Sequence, residues 1–399
     1  MIPRFKPFLG LQEFLQIFSK SKFNVEEFED RFSSLFSVAD SVAFPYGRSA
    51  LLHFLSTVGV SDSEIIMPSY SCSVVAHSIV LSGNTPVFVD ISIPDFNMDT
   101  DLLETSFTKK TKAIVATHIF GNPMNIDLLE QLVKTKEKEY GHKIWLIQDC
   151  AHSFDVCYKN RSVISSGDVS LFGLNISKSM TSVFGGMLTF NDIELADKVR
   201  LHRDSKLKKP NIMKSLKRRI YLLAVFFAFS SFFYSLTYYL QTRTKILKGL
   251  TDSYHLDEKI HFPEDSNDIM IDFEASIGVL QIEKYRHMIK ARQQNAATLH
   301  SKIVTKGKLK IFPPIEGSTY SHFVCLADDK SDLMEKAEKK GIQLGEIIQY
   351  SIPSLPPYTE KGKAFPVSEM ASKKAINLPI HPSLSWKDLN RISDFVNQV

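Results

Sequence analysis

Three short stretches of this chain carry side chains that could do chemistry together. Asp149 ends the run Lys-Ile-Trp-Leu-Ile-Gln-Asp, so a carboxylate projects from the carboxyl end of an apolar strand. Burying such a group alone is costly, and it needs a partner. A protonated pyridine nitrogen is one, because the ion pair keeps the ring cationic and able to take electrons from a substrate carbanion. Capping the next turn is the other common use of a strand-end aspartate. Lys178, in Asn-Ile-Ser-Lys-Ser-Met, follows a later strand by a few residues. A lysine near a packed site loses its proton more readily, as Schiff-base chemistry requires, although most lysines are solvated surface charges. Gly47 closes the first strand and leads into Arg48-Ser49-Ala50-Leu51, a helix start. Free N–H groups there, with a permissive glycine and a serine hydroxyl, make a phosphate cradle; the same residues also make an ordinary capped turn.

All three stretches fall at strand ends. Apolar runs at 42–45, 64–68, 86–91, 112–119, 143–148, 169–174 and 186–190 read as strands, with helices at 49–58, 72–81 and 126–140 among them. Strands joined by crossover helices predict an α/β fold, a mostly parallel seven-stranded sheet covered on both faces. Ligands of such sheets sit outside the carboxyl ends of the strands. A chain of 399 residues is long for one core. It divides into an N-terminal arm (1–39), a large cofactor-binding domain (40–205), a basic and apolar insertion (206–262) and a small C-terminal α+β domain (263–399). The last unit holds a helix pattern over 271–292, a strand over 320–327, a helix over 330–340 and a final helix from Trp386. Ser385 and Asp388 form the capping box of that final helix.

Composition excludes several classes. The chain is 44% hydrophobic and 23% charged, as globular proteins are, and its net charge of +4 argues against nucleic acid as a partner. Cys72, Cys150, Cys157 and Cys325 lie far apart without ligand spacing, which predicts neither a metal site nor a disulfide framework and fits a reducing, cytoplasmic setting. The first residues, MIPRFKPFLGLQEF, lack the pattern of a secretory signal.

The insertion is the odd part. Arg203, Lys206, Lys208, Lys209, Lys214, Lys217, Arg218 and Arg219 crowd together, the run 220–240 is uncharged, and Arg243, Lys245 and Lys248 follow. As one helix, 21 residues would span about 30 Å, bilayer length. A crossing would nevertheless separate Lys178 and Asp149 from the C-terminal domain. Leu222, Val225, Phe226, Phe229, Phe232, Phe233, Leu236 and Leu240 share one helical face. Two readings stand: an interfacial helix on an anionic leaflet through 214–248, making the protein peripheral on the inner face of the membrane, and a helix packed on the protein or in a dimer interface.

Several motifs occur in order: Phe-Pro-Tyr-Gly-Arg-Ser-Ala-Leu, Met-Pro-Ser-Tyr-Ser-Cys, Pro-Val-Phe-Val-Asp-Ile, Thr-His-Ile-Phe-Gly, Gln-Asp-Cys-Ala-His-Ser, Gly-Asp-Val-Ser-Leu-Phe and Ser-Lys-Ser-Met…Phe-Gly-Gly-Met. As a set they resemble the DegT/DnrJ/EryC1/StrS family of sugar aminotransferases, of pyridoxal-phosphate fold type I. The resemblance implies pyridoxal 5′-phosphate as cofactor, Lys178 as its Schiff-base lysine and Asp149 as partner of its ring nitrogen. Arg48 and Ser49 occupy phosphate-loop positions beside Gly47. His152 stands where most members have a cofactor-contacting glutamine. Gly173 replaces a phosphate-binding serine, whose place Ser177 would take; Cys72 replaces a stacking aromatic and Phe184 a common glutamate. Asn267 matches an asparagine that reaches the phosphate of the neighbouring subunit's cofactor, which implies a homodimer with a shared active site. The implied activity is amino transfer from an amino acid, glutamate in the family, to a keto-sugar, nucleotide- or lipid-linked, in surface-polysaccharide or amino-sugar biosynthesis. Lys178 speaks against the family's lysine-free dehydratases. The other readings are a non-catalytic relative serving as a membrane-associated assembly or regulatory partner, and a cofactor-dependent sugar dehydratase on the same scaffold.

Overall fold

The apolar runs of the first half form strands because each is covered on both faces, which favours continuous hydrophobic segments over alternation. The computed structural model describes residues 1–230, 232–243, 260–304, 309–359 and 363–399. Among them seven strands make one sheet: β1 (Asp40–Phe44), β2 (Glu64–Pro68), β3 (Thr85–Val89), β4 (Thr111–Thr117), β5 (Trp145–Asp149), β6 (Val169–Gly173) and β7 (Gly186–Phe190). Their order is β1-β7-β6-β5-β4-β2-β3. Strands β2 to β6 are parallel, and β7 runs antiparallel to both its neighbours. On β2, Ile65 and Met67 enter one core with the helices Gly47–Thr57 and Ser73–Leu81, while Ile66 enters another with Ile126–Tyr140.

A second sheet, of Leu309–Ile311, Phe323–Ala327 and Ala375–Leu378, is antiparallel and has its own core. Its middle strand starts three residues later than the sequence pattern predicts, because Tyr320 holds a left-handed φ of 50°. The final helix, Trp386–Gln398, carries the expected capping box: Ser385 Oγ accepts from Asp388 N at 3.2 Å, and Asp388 Oδ2 accepts from Ser385 N at 3.0 Å. The pattern over 271–292 resolves into two helices, Asp272–Ile282 and Tyr285–Lys302. At the break Lys284 reaches both oxygens of buried Glu13 at 2.6 Å.

The insertion also departs from expectation. The continuous helix over 220–240 is instead two, Ile212–Ala228 and Tyr234–Arg243. Ser230 caps the turn into the second, since Phe233 N donates to its carbonyl at 3.1 Å and its hydroxyl at 3.3 Å. Only part of the expected apolar face is covered. Leu222 and Val225 are buried, and Phe226 meets Phe14 edge-on with ring centroids 5.4 Å apart. Beyond the break Phe232, Phe233 and Leu236 are exposed, whereas Tyr234 is buried. Lys245 and Lys248 lie outside the described residues. Among the described residues no helix is long and apolar enough to cross a membrane.

Candidate active site

Parallel register brings the first functional pair together. Thr117 and Asp149 end β4 and β5 side by side. Thr117 Oγ1 donates to Asp149 Oδ2 at 3.1 Å, and the Ala151 N–H donates to Oδ1 at 3.1 Å. Both carboxylate oxygens are therefore held in a buried setting. Burial pushes the Asp149 pKa up, opposed by the Ala151 N–H, the Lys178 ammonium and the Thr117 hydroxyl.

Lys178 sits in a loop folded back on the end of β6. Ser182 N donates to Leu174 O at 2.9 Å, Leu174 N to Gly185 O at 2.9 Å, and Lys178 N to Asn175 O at 3.0 Å. Val183 in this loop is a β-branched residue at φ 76°, a left-handed conformation that only a constrained segment tolerates. Gly173 clears the path of the lysine side chain; a Cβ there would lie 3.4 Å from Lys178 Cε. Loss of solvation lowers the Lys178 pKa, and the neighbouring Cys72 and Asp149 pull it back up. In both groups desolvation is the largest influence, and it works against the charged form.

The opposite end of the cavity is a helix start. Tyr46, the N-cap of Gly47–Thr57, makes no side-chain cap bond, and the first intrahelical bond runs from Ala50 N to Tyr46 O. The N–H groups of Gly47, Arg48 and Ser49 thus lack helical partners. Gly186 of β7 packs so closely that an added Cβ would strike Gly47 N and lie 2.5 Å from the Tyr46 carbonyl carbon.

Gly47, Arg48, Cys72, Asp149, His152 and Lys178 line one cavity, together with Gly173, Asn175, Thr117 and Ile348 from the C-terminal part. His152 is stacked on Phe120, at 6.2 Å and 19°, and its ring lies 4.9 Å from that of His322. Burial, then Lys178 and His322, hold its pKa well below the usual imidazole range, so it is neutral. Three expected residues stand apart. Ser49 is buried with its hydroxyl donating to Ser266 O at 3.2 Å. Ser177 is exposed, its N–H and hydroxyl both donating to Asn175 Oδ1. Asn267 is exposed, with its carbonyl accepting from Lys208 N at 2.8 Å.

His118 is a satisfied core histidine. Its Nε2 lies 2.8 Å from Gln148 Oε1 and its Nδ1 accepts from Met124 N at 2.9 Å. Two cavity residues went unremarked in the sequence, Thr117 and Tyr46. Both belong to the quoted motifs, but their roles depend on strand register and on the insertion. The Tyr46 hydroxyl donates to Asp265 Oδ1 at 2.8 Å and accepts from Arg218 Nη2 at 3.1 Å. Arg218 in turn donates from Nε to Glu274 Oε1 at 2.7 Å and stacks over Phe184 at 4.0 Å.

A sheet with one reversed strand, and a lysine and a carboxylate facing an uncapped helix start across one cavity, define a type I transferase fold. Residues 14–227 and 250–397 match the pattern of the DegT/DnrJ/EryC1/StrS aminotransferase family, and the chain belongs to that family of sugar aminotransferases. It is 24% identical over 388 residues to a spore coat polysaccharide biosynthesis protein of Bacillus subtilis (strain 168), covering 94% of this chain and 89% of the relative. It is also 24% identical over 380 residues to a GDP-perosamine synthase of Escherichia coli O157:H7, with the same coverage. The fold superposes on a sugar aminotransferase of Micromonospora echinospora with a TM-score of 0.79 at 16% identity, covering 100% of both chains. A Helicobacter pylori aminotransferase of pseudoaminic acid biosynthesis gives 0.77 at 20% identity, covering 100% of this chain and 98% of that one.

Proposed function

We propose that this chain binds pyridoxal 5′-phosphate and moves an amino group from glutamate to a keto-sugar carried on a nucleotide or a lipid. The observation that carries the reading is the single cavity shared by Lys178, Asp149 and the start of the helix Gly47–Thr57. These residues fit the group: a buried carboxylate for a ring nitrogen, a desolvated lysine for an aldehyde, and free N–H groups at an uncapped helix start. When bound, the cofactor supplies an electron sink for the pair left at the donor Cα.

The chain's own residues do the rest. Lys178 Nζ, with its pKa lowered, takes the proton from the donor Cα and delivers it again. Asp149 holds a proton on the ring nitrogen, with Thr117 and the Ala151 N–H fixing its two oxygens. The N–H groups of Gly47, Arg48 and Ser49 and the Arg48 guanidinium face the phosphate, where a helix N-terminus favours an anion. His152 and Cys72 flank the ring, Ser177 stands in for the serine absent at Gly173, and exposed Asn267 reaches the phosphate held by a second copy in a homodimer. The units 1–39, 40–205, 206–262 and 263–399 serve as arm, cofactor domain, insertion and closing domain. Contact through 214–248 with the inner face of a membrane completes the reading, for a cytoplasmic or peripheral enzyme.

The test is spectroscopic and chemical. Purified protein should show the visible absorbance of lysine-bound cofactor, lost in Lys178→Ala, and should aminate a keto-sugar followed by mass spectrometry. Wild type that stays colourless with added cofactor sinks the reading.

A further inference from the structure

Both faces of the helix Ile212–Ala228 are apolar. The inner face, with Leu222 and Val225, packs on the protein. The outer face shows Ile212 at 84% exposure, Leu216, Ile220 at 59% and Phe227, spaced as one stripe down the helix. A helix side turned to water is ordinarily polar, so this stripe calls for a cover. It continues past the turn at Ser230, where Phe232 is 85% exposed and Leu236 and Tyr239 are exposed as well. The helix Leu11–Phe18, packed alongside, shows a stripe of its own in Leu11, Leu15 and Phe18.

Charge decides between covers. Residues 205–251 contain ten lysines and arginines and neither aspartate nor glutamate. Three of these turn inward: Arg218 to Asp265 and Glu274, Lys214 to Ile269 O at 3.2 Å, and Arg219 to the carbonyls of Gln16, Ile17 and Ser19. Lys206, Lys208, Lys209 and Lys217 are exposed, the first three just before the helix and the last within it. A second copy docking symmetrically would set lysine against lysine, whereas an anionic surface complements both features. Residues 228–249 also fall between the two segments that match the family, so the outer end of the stripe lies outside the family pattern.

We propose that this face docks in the plane of an anionic bilayer, with the apolar stripes entering among the lipids and the four lysines meeting headgroup phosphates. The claim rests on the membrane contact proposed above and gives it residues and orientation. Leu222 and its neighbours, which the helical wheel offered to the membrane, instead hold the helix on the protein, and the opposite side faces out. Arg218 ties this same helix to Tyr46 on the cavity wall, so the bilayer lies about one helix diameter, ~10 Å, behind the cofactor site. No helix needs to cross.

Flotation of the full-length, cofactor-loaded protein tests this, with vesicles of phosphatidylcholine plus phosphatidylglycerol against phosphatidylcholine alone. Wild type should float with the anionic vesicles and be released by salt. The triple variant Ile220→Ser, Phe227→Ser, Phe232→Ser should lose at least about tenfold in partitioning, as should Lys→Glu changes at 206, 208, 209 and 217. Both variants should keep cofactor absorbance and solution amino transfer. Wild type that floats with neither vesicle, or equal flotation of wild type and triple variant, overturns the docking claim. So does a triple variant that merely falls from dimer to monomer, which would assign the stripe to a second copy. Flotation as expected in a colourless, inactive protein would support docking while sinking the aminotransferase reading.

Discussion

Thr117 Oγ1 donates to Asp149 Oδ2 at 3.1 Å, a contact between two residues 32 positions apart that parallel pairing sets side by side. Hydrogen bonds to charged groups contribute about 1.5–3 kcal/mol. Thr117→Val keeps the shape and removes the donor, so the ionised carboxylate is less favoured. Cofactor affinity should fall roughly tenfold, read by absorbance titration. An unchanged Kd would show that the bond does not orient Asp149 for the ring nitrogen.

Two glycines around the site should respond oppositely to alanine. A Cβ on Gly173 would lie 3.4 Å from Lys178 Cε, an ordinary contact with a flexible side chain. A Cβ on Gly186 would press into the backbone of Tyr46 and Gly47. Gly186→Ala should therefore cost about 1–3 kcal/mol and weaken cofactor binding by displacing the helix start, while Gly173→Ala stays near wild type in thermal melts.

Cofactor uptake should follow the titration of Lys178. Capture needs the neutral amine, and desolvation lowers the lysine pKa. The uptake rate of cofactor-free protein should rise with pH and level off below the range of an ordinary lysine. Asp149 pulls that pKa up, so Asp149→Asn should move the midpoint to lower pH. Stopped-flow traces across pH with an unshifted midpoint in the variant would contradict this.

Acid should destabilise the fold through its neutral histidines. Burial lowers the His118 pKa to about 4, against an unfolded value near 6.5. Between those values the unfolded chain binds the proton and the folded chain does not, so stability is full above about pH 6.5 and lost as pH falls toward 4. One such group contributes a slope of about 1.4 kcal/mol per pH unit. His118→Asn should be less stable at neutral pH yet lose stability less steeply in that window by about this amount, in urea titrations.

Breaking the Arg218–Glu274 pair should be costly from either side. Glu274 is fully buried, with Arg218 Nε at 2.7 Å. Arg218→Met strands the carboxylate and should cost about 3–5 kcal/mol. Adding Glu274→Met should recover much of that loss. A single variant as stable as wild type would mean that the pair does not hold the insertion in place.

The order of strand, crossover and motif determined the architecture, because parallel strands buried on both faces need long apolar runs with helices between them. The same order assigned Lys178 and Asp149 to strand ends, where such folds bind ligands. The sequence did not show that Thr117 supports Asp149, that Ser49 turns its hydroxyl to Ser266, or that His118 is closed off by Gln148 and Met124. Each of these depends on cross-strand register or on a segment folding back from far along the chain. The insertion makes the same point: its run of apolar residues was legible, but Ile212–Ala228 is apolar on two sides. Periodicity reports how apolar residues repeat along a chain; only tertiary packing determines which side meets protein and which is left to find another partner.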